Sequence, residues 1–282
     1  MLKKQFVNLH IAIPEEQFDL SYSALADFPF VGIEERMDEI VVTFNAIDYT
    51  PEFATSLLER LGVYEIEAKI LLEEVIDDKN WNAEWEESLE PVIVSSRVAI
   101  SPTWKATDVQ QPIVILINPK MSFGTGYHPT TRMVCRMLEE TVTPDSRWID
   151  AGTGTGVLAI LSAKLGAAYC FAFDNDEWSV ENSKENITLN TTDNQIECSQ
   201  EDVFTVELPK SDGICANLYR NLLIPNFPKF YQALKSPEGT LIVSGILKYD
   251  VDEIISAAEA VSFKHIHTEL ENEWAAIRFT TL

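Results

Sequence analysis

The chain has 282 residues, enough for one large domain or two of ordinary size, and its 46% apolar residues can supply a core without covalent staples. Its 45 acids against 21 bases leave a net charge of −24, which disfavours a phosphate backbone as the principal ligand, and no apolar run approaches the roughly 18 residues of a membrane span. Four cysteines, Cys135, Cys170, Cys198 and Cys215, stand far apart without CxxC or Cys/His spacing, so neither a disulfide framework nor a zinc site is expected and the thiols read as reduced and cytoplasmic.

The first stretch, "MLKKQFVNLHIAIPEEQF", carries two lysines, but Asn8 and His10 interrupt its apolar residues and no small-residue cleavage site follows, so a signal peptide is not expected. Within it "FVNLHIAI" has the period of a strand, "EEQFDLSYSALADF" that of a helix, and "DEIVVTFNA" is again strand-like. "TPEFATSLLERLG" then has a Thr-Pro start, helical spacing and a Gly stop, before "YEIEAKILLEE" returns to alternation. Residues 1–76 thus read as a small α+β domain of ferredoxin-like layout. Residues 77–111 are acidic and contain Trp81 and Trp85, four apart on a possible helix face and best read as packing residues, followed by the strands "PVIVSS" and "RVAIS".

From 112 to 282 strand, turn and helix alternate, beginning with "PIVILIN", "HPTTRMVCRMLEETV", "RWIDAG", "TGVLAILSAKLG" and "AAYCFAFDND". Such alternation predicts a mostly parallel sheet covered on both faces. The last two strands, "FKHIHTELE" and "WAAIRFT", have no helix between them and are expected to form an antiparallel hairpin at the sheet edge. His265 and His267 on the first of these, and His10 near the N-terminus, are read as structural.

The strand ending in "WIDAGTGTG" feeds straight into a helix, as a nucleotide-binding turn does, with Gly152, Gly154 and Gly156 permitting close backbone approach. Three features argue against a dinucleotide or a P-loop: the spacing is GxGxG, Asp150 stands two residues ahead of the first glycine, and no Lys-Ser or Lys-Thr follows. Asp150 beside a ligand would favour a cation over a pyrophosphate; it could equally cap the helix or hold the turn in shape. Asp174 ends the next strand, 22 residues past Gly152, and suits the two hydroxyls of a ribose. Asn217 ends "GICAN" with both a donor and an acceptor, suited to the amino-acid part of a cofactor or to an incoming amine. A positively charged adenosine-like ligand fits this set, and S-adenosylmethionine is the candidate.

At these residues the chain resembles the class I, seven-stranded methyltransferases, with their Rossmann-like α/β sheet. "FGTGYHPTT" at 123–131 narrows the resemblance to the bacterial enzymes that methylate protein eleven of the large ribosomal subunit (PrmA family). The resemblance implies a substrate-recognition domain at 1–76, a Trp-rich bridging segment at 77–111 and a catalytic domain at 112–282. It implies cofactor contacts at Thr131, Gly152, Asp174 and Asn217, with Phe123, Gly124, Asp150, Gly154 and Gly156 as further candidates. The chain departs from the family's pattern at Tyr127, where threonine is usual, at "NPK" (118–120), where Asp-Pro-Gly is usual, and at "NLYR" (217–220).

The implied reaction is methylation of amino groups, on lysine side chains, the N-terminal α-amine or both, of a basic ribosomal protein. A lysine with a reference pKa of about 10.4 must lose a proton at a cost of about 4.6 kcal/mol at pH 7, against about 1.4 for an α-amine near pKa 8. No dedicated general base is assigned; His128 and Asn217 are the candidates for a catalytic part. A monomeric cytoplasmic enzyme without direct nucleic-acid, membrane or metal binding is expected. The alternatives are a related methyltransferase acting on another protein or a small molecule, a nicotinamide-dependent oxidoreductase, and a cofactor-binding regulator.

Overall fold

The computed structural model describes residues 5–77, 88–120, 122–235 and 237–282. Trp81 and Trp85 lie outside the described residues. The chain divides into two compact units, Met1–Trp81 and Asn82–Leu282.

The first unit runs β1 (Gln5–Ala12), α1 (Phe18–Leu25), β2 (Phe30–Arg36), β3 (Glu39–Asn45), α2 (Pro51–Val63) and β4 (Lys69–Asp77). Its four-stranded sheet has the order β2-β3-β1-β4 with every pair antiparallel, the split βαβ arrangement of ferredoxin-like domains. Alternate residues Leu9 and Ile11 of β1 and Ile40, Val42 and Phe44 of β3 are wholly buried together with Leu57 and Leu61 of α2. On the other side of β1, His10 is bonded through Nδ1 to Glu39 (2.5 Å) and through Nε2 to Glu74 (3.2 Å), a structural cross-strand contact. Strand β2 is absent from the sequence reading: Gly32 and three charged residues give "FVGIEER" no apolar period, because an edge strand buries little.

The second unit holds two sheets. A three-stranded one is made of β5 (Val92–Ile93), β6 (Val98–Pro102) and β7 (Ile113–Ile117), with β5 and β6 antiparallel and β6 and β7 parallel. The seven-stranded one has the order β10-β9-β8-β11-β12-β14-β13. Its strands are β8 (Arg147–Ala151), β9 (Tyr169–Asp174), β10 (Ile196–Gln200), β11 (Gly213–Asn217), β12 (Thr240–Leu247), β13 (Phe263–Glu271) and β14 (Trp274–Thr281). Five strands are parallel, and β14 and β13 add antiparallel at one edge, as the missing helix between them predicts. The α/β fold class read from the sequence therefore holds.

Two expectations are corrected. "PIVILIN" was expected to begin the parallel sheet, but β7 pairs with β6 outside it. The opposite edge is β10, which sequence reading missed because "IECSQ" buries only Ile196 fully and mixes an acid with polar residues. The helices are α3 (Pro129–Thr141), α4 (Val157–Lys164), α5 (Glu177–Leu189), α6 (Arg220–Ala233) and α7 (Val251–Glu259). Helix α4 is apolar all round because it is buried all round: Val157 through Ala163 are inaccessible or nearly so. No helix among the described residues is long and apolar enough to cross a membrane.

Candidate active site

The carboxyl ends of the central strands open into a cavity of about 520 Å3, of the size that small-molecule ligands occupy. Its floor is Gly152 and Gly154 after β8, and Asp174 ends β9 beside them. Asn217, Leu218 and Tyr219 after β11 form one wall, and Glu201, Asp202, Val203 and Phe204 after β10 form another. Phe123, His128, Thr130 and Trp274 complete it.

The glycine turn is fixed by what a side chain would strike. Gly152 has φ +75°, and a Cβ there would come within 2.4 Å of Leu218 Cδ2. Gly154 has φ +54°, and its Cβ would stand 2.3 Å from the carbonyl oxygen of Phe123. The loop carrying Phe123 and Gly124 is thus seated on the turn. Thr155 donates its N–H to Phe123 O (2.9 Å) and its hydroxyl to Gly124 O (2.9 Å). Gly156, at φ +85°, is the residue from which α4 starts and does not reach the cavity.

Asp174 Oδ2 accepts the Gly154 N–H (3.0 Å) and Oδ1 accepts the Asp176 N–H (3.1 Å). A carboxylate offers about four acceptor directions, so ligand hydroxyls can still be received. Asn217 also faces the cavity, and its Oδ1 is buried without a hydrogen-bond partner. An unpaired buried acceptor is costly, and a donor from a bound amine would satisfy it.

For Asp150 the structure shows the bonds of the internal role. The residue is wholly buried and absent from the cavity wall. Its Oδ2 accepts from the Thr153 hydroxyl (2.7 Å) and the Ala159 N–H (3.1 Å), and its Oδ1 accepts from the Cys215 thiol (3.5 Å). Burial pushes its pKa up to about 6, against the hydrogen bonds from Thr153, Cys215 and Ala159, which pull it down. The acid therefore ties the glycine turn to the start of α4.

Thr131 follows directly on a cavity residue, Thr130. Thr130 lines the cavity, and Thr131 is buried with its hydroxyl unpaired, as Asn217 Oδ1 is. His128 is the N-cap of α3: its Nδ1 accepts the Thr130 N–H (3.3 Å) and lies 2.7 Å from the Thr130 hydroxyl. The ring meets Trp274 edge-on at 4.5 Å. Burial and then the Arg132 charge hold His128 below its usual pKa, and a neutral ring that spends Nδ1 as an acceptor carries its proton on Nε2.

The departures in "NPK" and at Tyr127 lie away from the cavity wall. Lys120 stands at φ +41°, a conformation that favours glycine, and its ammonium pairs with Glu185. Tyr127 donates its hydroxyl to Glu90 O (2.6 Å). Sequence reading missed Trp274 and the acids Glu201 and Asp202. The acids follow the unrecognised strand β10, and Trp274 is carried in by the terminal hairpin.

Comparison with known proteins settles the family. The family model described as "Ribosomal protein L11 methyltransferase (PrmA)" matches residues 11–281. The chain belongs to this family. It is 42% identical over 202 residues to the ribosomal protein L11 methyltransferase of Chlorobaculum parvum, covering 70% of this chain and 69% of that protein. It is 34% identical over 264 residues to the one of Bacteroides fragilis, covering 93% of each. A crystal structure of the ribosomal protein L11 methylase from Lactobacillus delbrueckii subsp. bulgaricus aligns with a TM-score of 0.62 at 28% identity, covering 68% of this chain and 99% of that one. The aligned fold is that of a class I methyltransferase, and the PrmA match spans nearly all of both units.

Proposed function

We propose that the chain transfers the methyl group of S-adenosylmethionine to amino groups of ribosomal protein L11, on lysine side chains, the N-terminal α-amine or both. The observation that carries this reading is the cavity itself: an acid at the end of β9, a glycine turn at its floor, and an unpartnered amide oxygen at the end of β11.

In this reading Asp174 holds the ribose hydroxyls, Gly152 and Gly154 let the ligand approach the backbone, and Asn217 Oδ1 accepts from an amine. When bound, S-adenosylmethionine supplies a methyl group activated by the sulfonium. The chain's own share is orientation and exclusion of water. Phe123, Phe204, Leu218 and Trp274 give the cavity apolar walls, where the uncharged form of an amine is favoured and its pKa falls. That matters most for lysine, whose deprotonation at pH 7 costs about 4.6 kcal/mol in water. His128 is assigned to shaping the loop, since the lone pair of its Nδ1, which a general base would need, is spent on the helix cap.

Residues 1–76 are proposed as the recognition domain and 77–111 as the bridge to the catalytic part. The net charge of −24 supports a basic protein partner and opposes direct nucleic-acid binding. A monomer working in the cytoplasm completes the proposal. Isothermal titration with S-adenosylmethionine tests it. Asp174→Ala and Gly152→Arg should each weaken binding by about tenfold or more. Unchanged affinity in both would refute the site, and mass spectrometry of L11 incubated with enzyme and labelled cofactor reads the methylated amines.

A further inference from the structure

Helix α5 and the residue that caps its C-terminus present three buried asparagines at four-residue spacing, Asn182, Asn186 and the cap Asn190. They face β7 and the residues that follow it. Asn190 Oδ1 accepts the Leu116 N–H (3.0 Å) while its Nδ2 donates to Leu116 O (2.6 Å). Asn186 Oδ1 accepts the Asn118 N–H (2.7 Å), and Asn182 Nδ2 donates to Pro119 O (2.8 Å). Four residues of helix rise about 6 Å and two residues of extended chain about 6.6 Å, which matches the step from Asn190 on Leu116 to Asn186 on Asn118. An asparagine amide offers one acceptor and one donor group, as a peptide does. The asparagines therefore pair with Leu116 near the end of β7 and with the two residues that follow the strand, using side chains in place of a neighbouring backbone.

The same face of α5 also grips the glycine turn. Ser183 donates its hydroxyl to Gly154 O (2.8 Å), and Asn186 Nδ2 donates to Thr155 O (2.8 Å). Asn186 thus holds the chain leading toward Phe123 with its oxygen and the glycine turn with its nitrogen. Thr155 joins the same two segments from the turn side, through Phe123 O and Gly124 O.

We propose that α5 aligns the two cofactor loops against each other, with Asn186 and Ser183 as positioning residues for the methyl donor and Asn190 serving only to hold β7. The inference rests on the reading of the cavity as an S-adenosylmethionine site. It can be tested on the full chain by titrating S-adenosylmethionine into the wild type, Asn186→Asp, Ser183→Ala and Asn190→Ala, with the melting temperature of each recorded. Asn186→Asp keeps the acceptor toward Asn118 and loses the donor to Thr155; Ser183→Ala removes a single oxygen and keeps the fold. Each should raise the dissociation constant about tenfold, the equivalent of one net hydrogen bond. The KM for the methyl donor should rise with it and the KM for the protein substrate should not. Asn190→Ala should lower the melting temperature and leave cofactor affinity at the wild-type value. Wild-type affinity in Asn186→Asp and Ser183→Ala overturns the inference, as does a loss of affinity in all three variants that merely follows melting temperature. No binding by the wild type overturns the reading of the cavity and this inference with it.

Discussion

Asp150 is an acid withdrawn from water and kept in place by Thr153, Ala159 and Cys215. Its pKa, raised to about 6, gives it a definite signature in stability. Below about pH 4 both the folded and the unfolded chain hold its proton; between about 4 and 6 only the folded chain does, so its contribution falls as pH rises and levels off near a cost of about 3 kcal/mol. Asp150→Asn keeps an acceptor for the turn and does not titrate. Denaturant unfolding should therefore show the variant gaining on the wild type from pH 4 to about 6.5 and running parallel above it. A difference that stays flat across this range would show that Asp150 ionises as it does in water. Lys120 makes a different residue-level point: it holds a left-handed backbone position of the kind that glycine favours, with its ammonium paired to Glu185.

Among the elements, β8 and β11 are matched through one close contact. Gly213 opens β11 opposite Trp148, and a Cβ on it would stand 2.5 Å from the indole. The indole cannot easily yield, since Nε1 donates to Ser146 Oγ (3.1 Å) and the ring is buried. Gly213→Ala should cost about 1–3 kcal/mol by overpacking, read as a lower melting temperature. A variant that melts with the wild type would mean that the strand shifts freely. The same elements show why some of the fold was legible and some was not. Strands β8, β9, β11 and β12 bury both faces and read as apolar runs, whereas β2 and β10 are edges whose polar residues hide them. Strand β7 was legible as a strand, but its own residues do not say which strand it joins. In the site, Asp174 and Asn217 could be read because each ends an apolar strand. Trp274 could not, because only the topology brings the terminal hairpin to the cavity.

The molecule as a whole carries 45 acidic residues and a sequence pI near 4.4. A field of that sign attracts a basic protein over distances that salt shortens, from about 30 Å at 0.01 M to about 8 Å at physiological ionic strength. For methylation of L11, kcat/KM is therefore expected to fall on the order of tenfold from low to physiological salt, with the kcat at saturating substrate little changed. Salt-independent kcat/KM would assign recognition to contacts in which charge has no part. The two glycine-bearing segments of the catalytic unit bear on a different kind of experiment. Because the carbonyl of Phe123 occupies the space where a side chain on Gly154 would stand, and Thr155 is bonded back to Phe123 and Gly124, the two segments fit each other directly. A chimera that imports the turn of a distant methyltransferase without its partner loop inherits half of a joint. The smallest portion that can be transplanted between such enzymes is the pair.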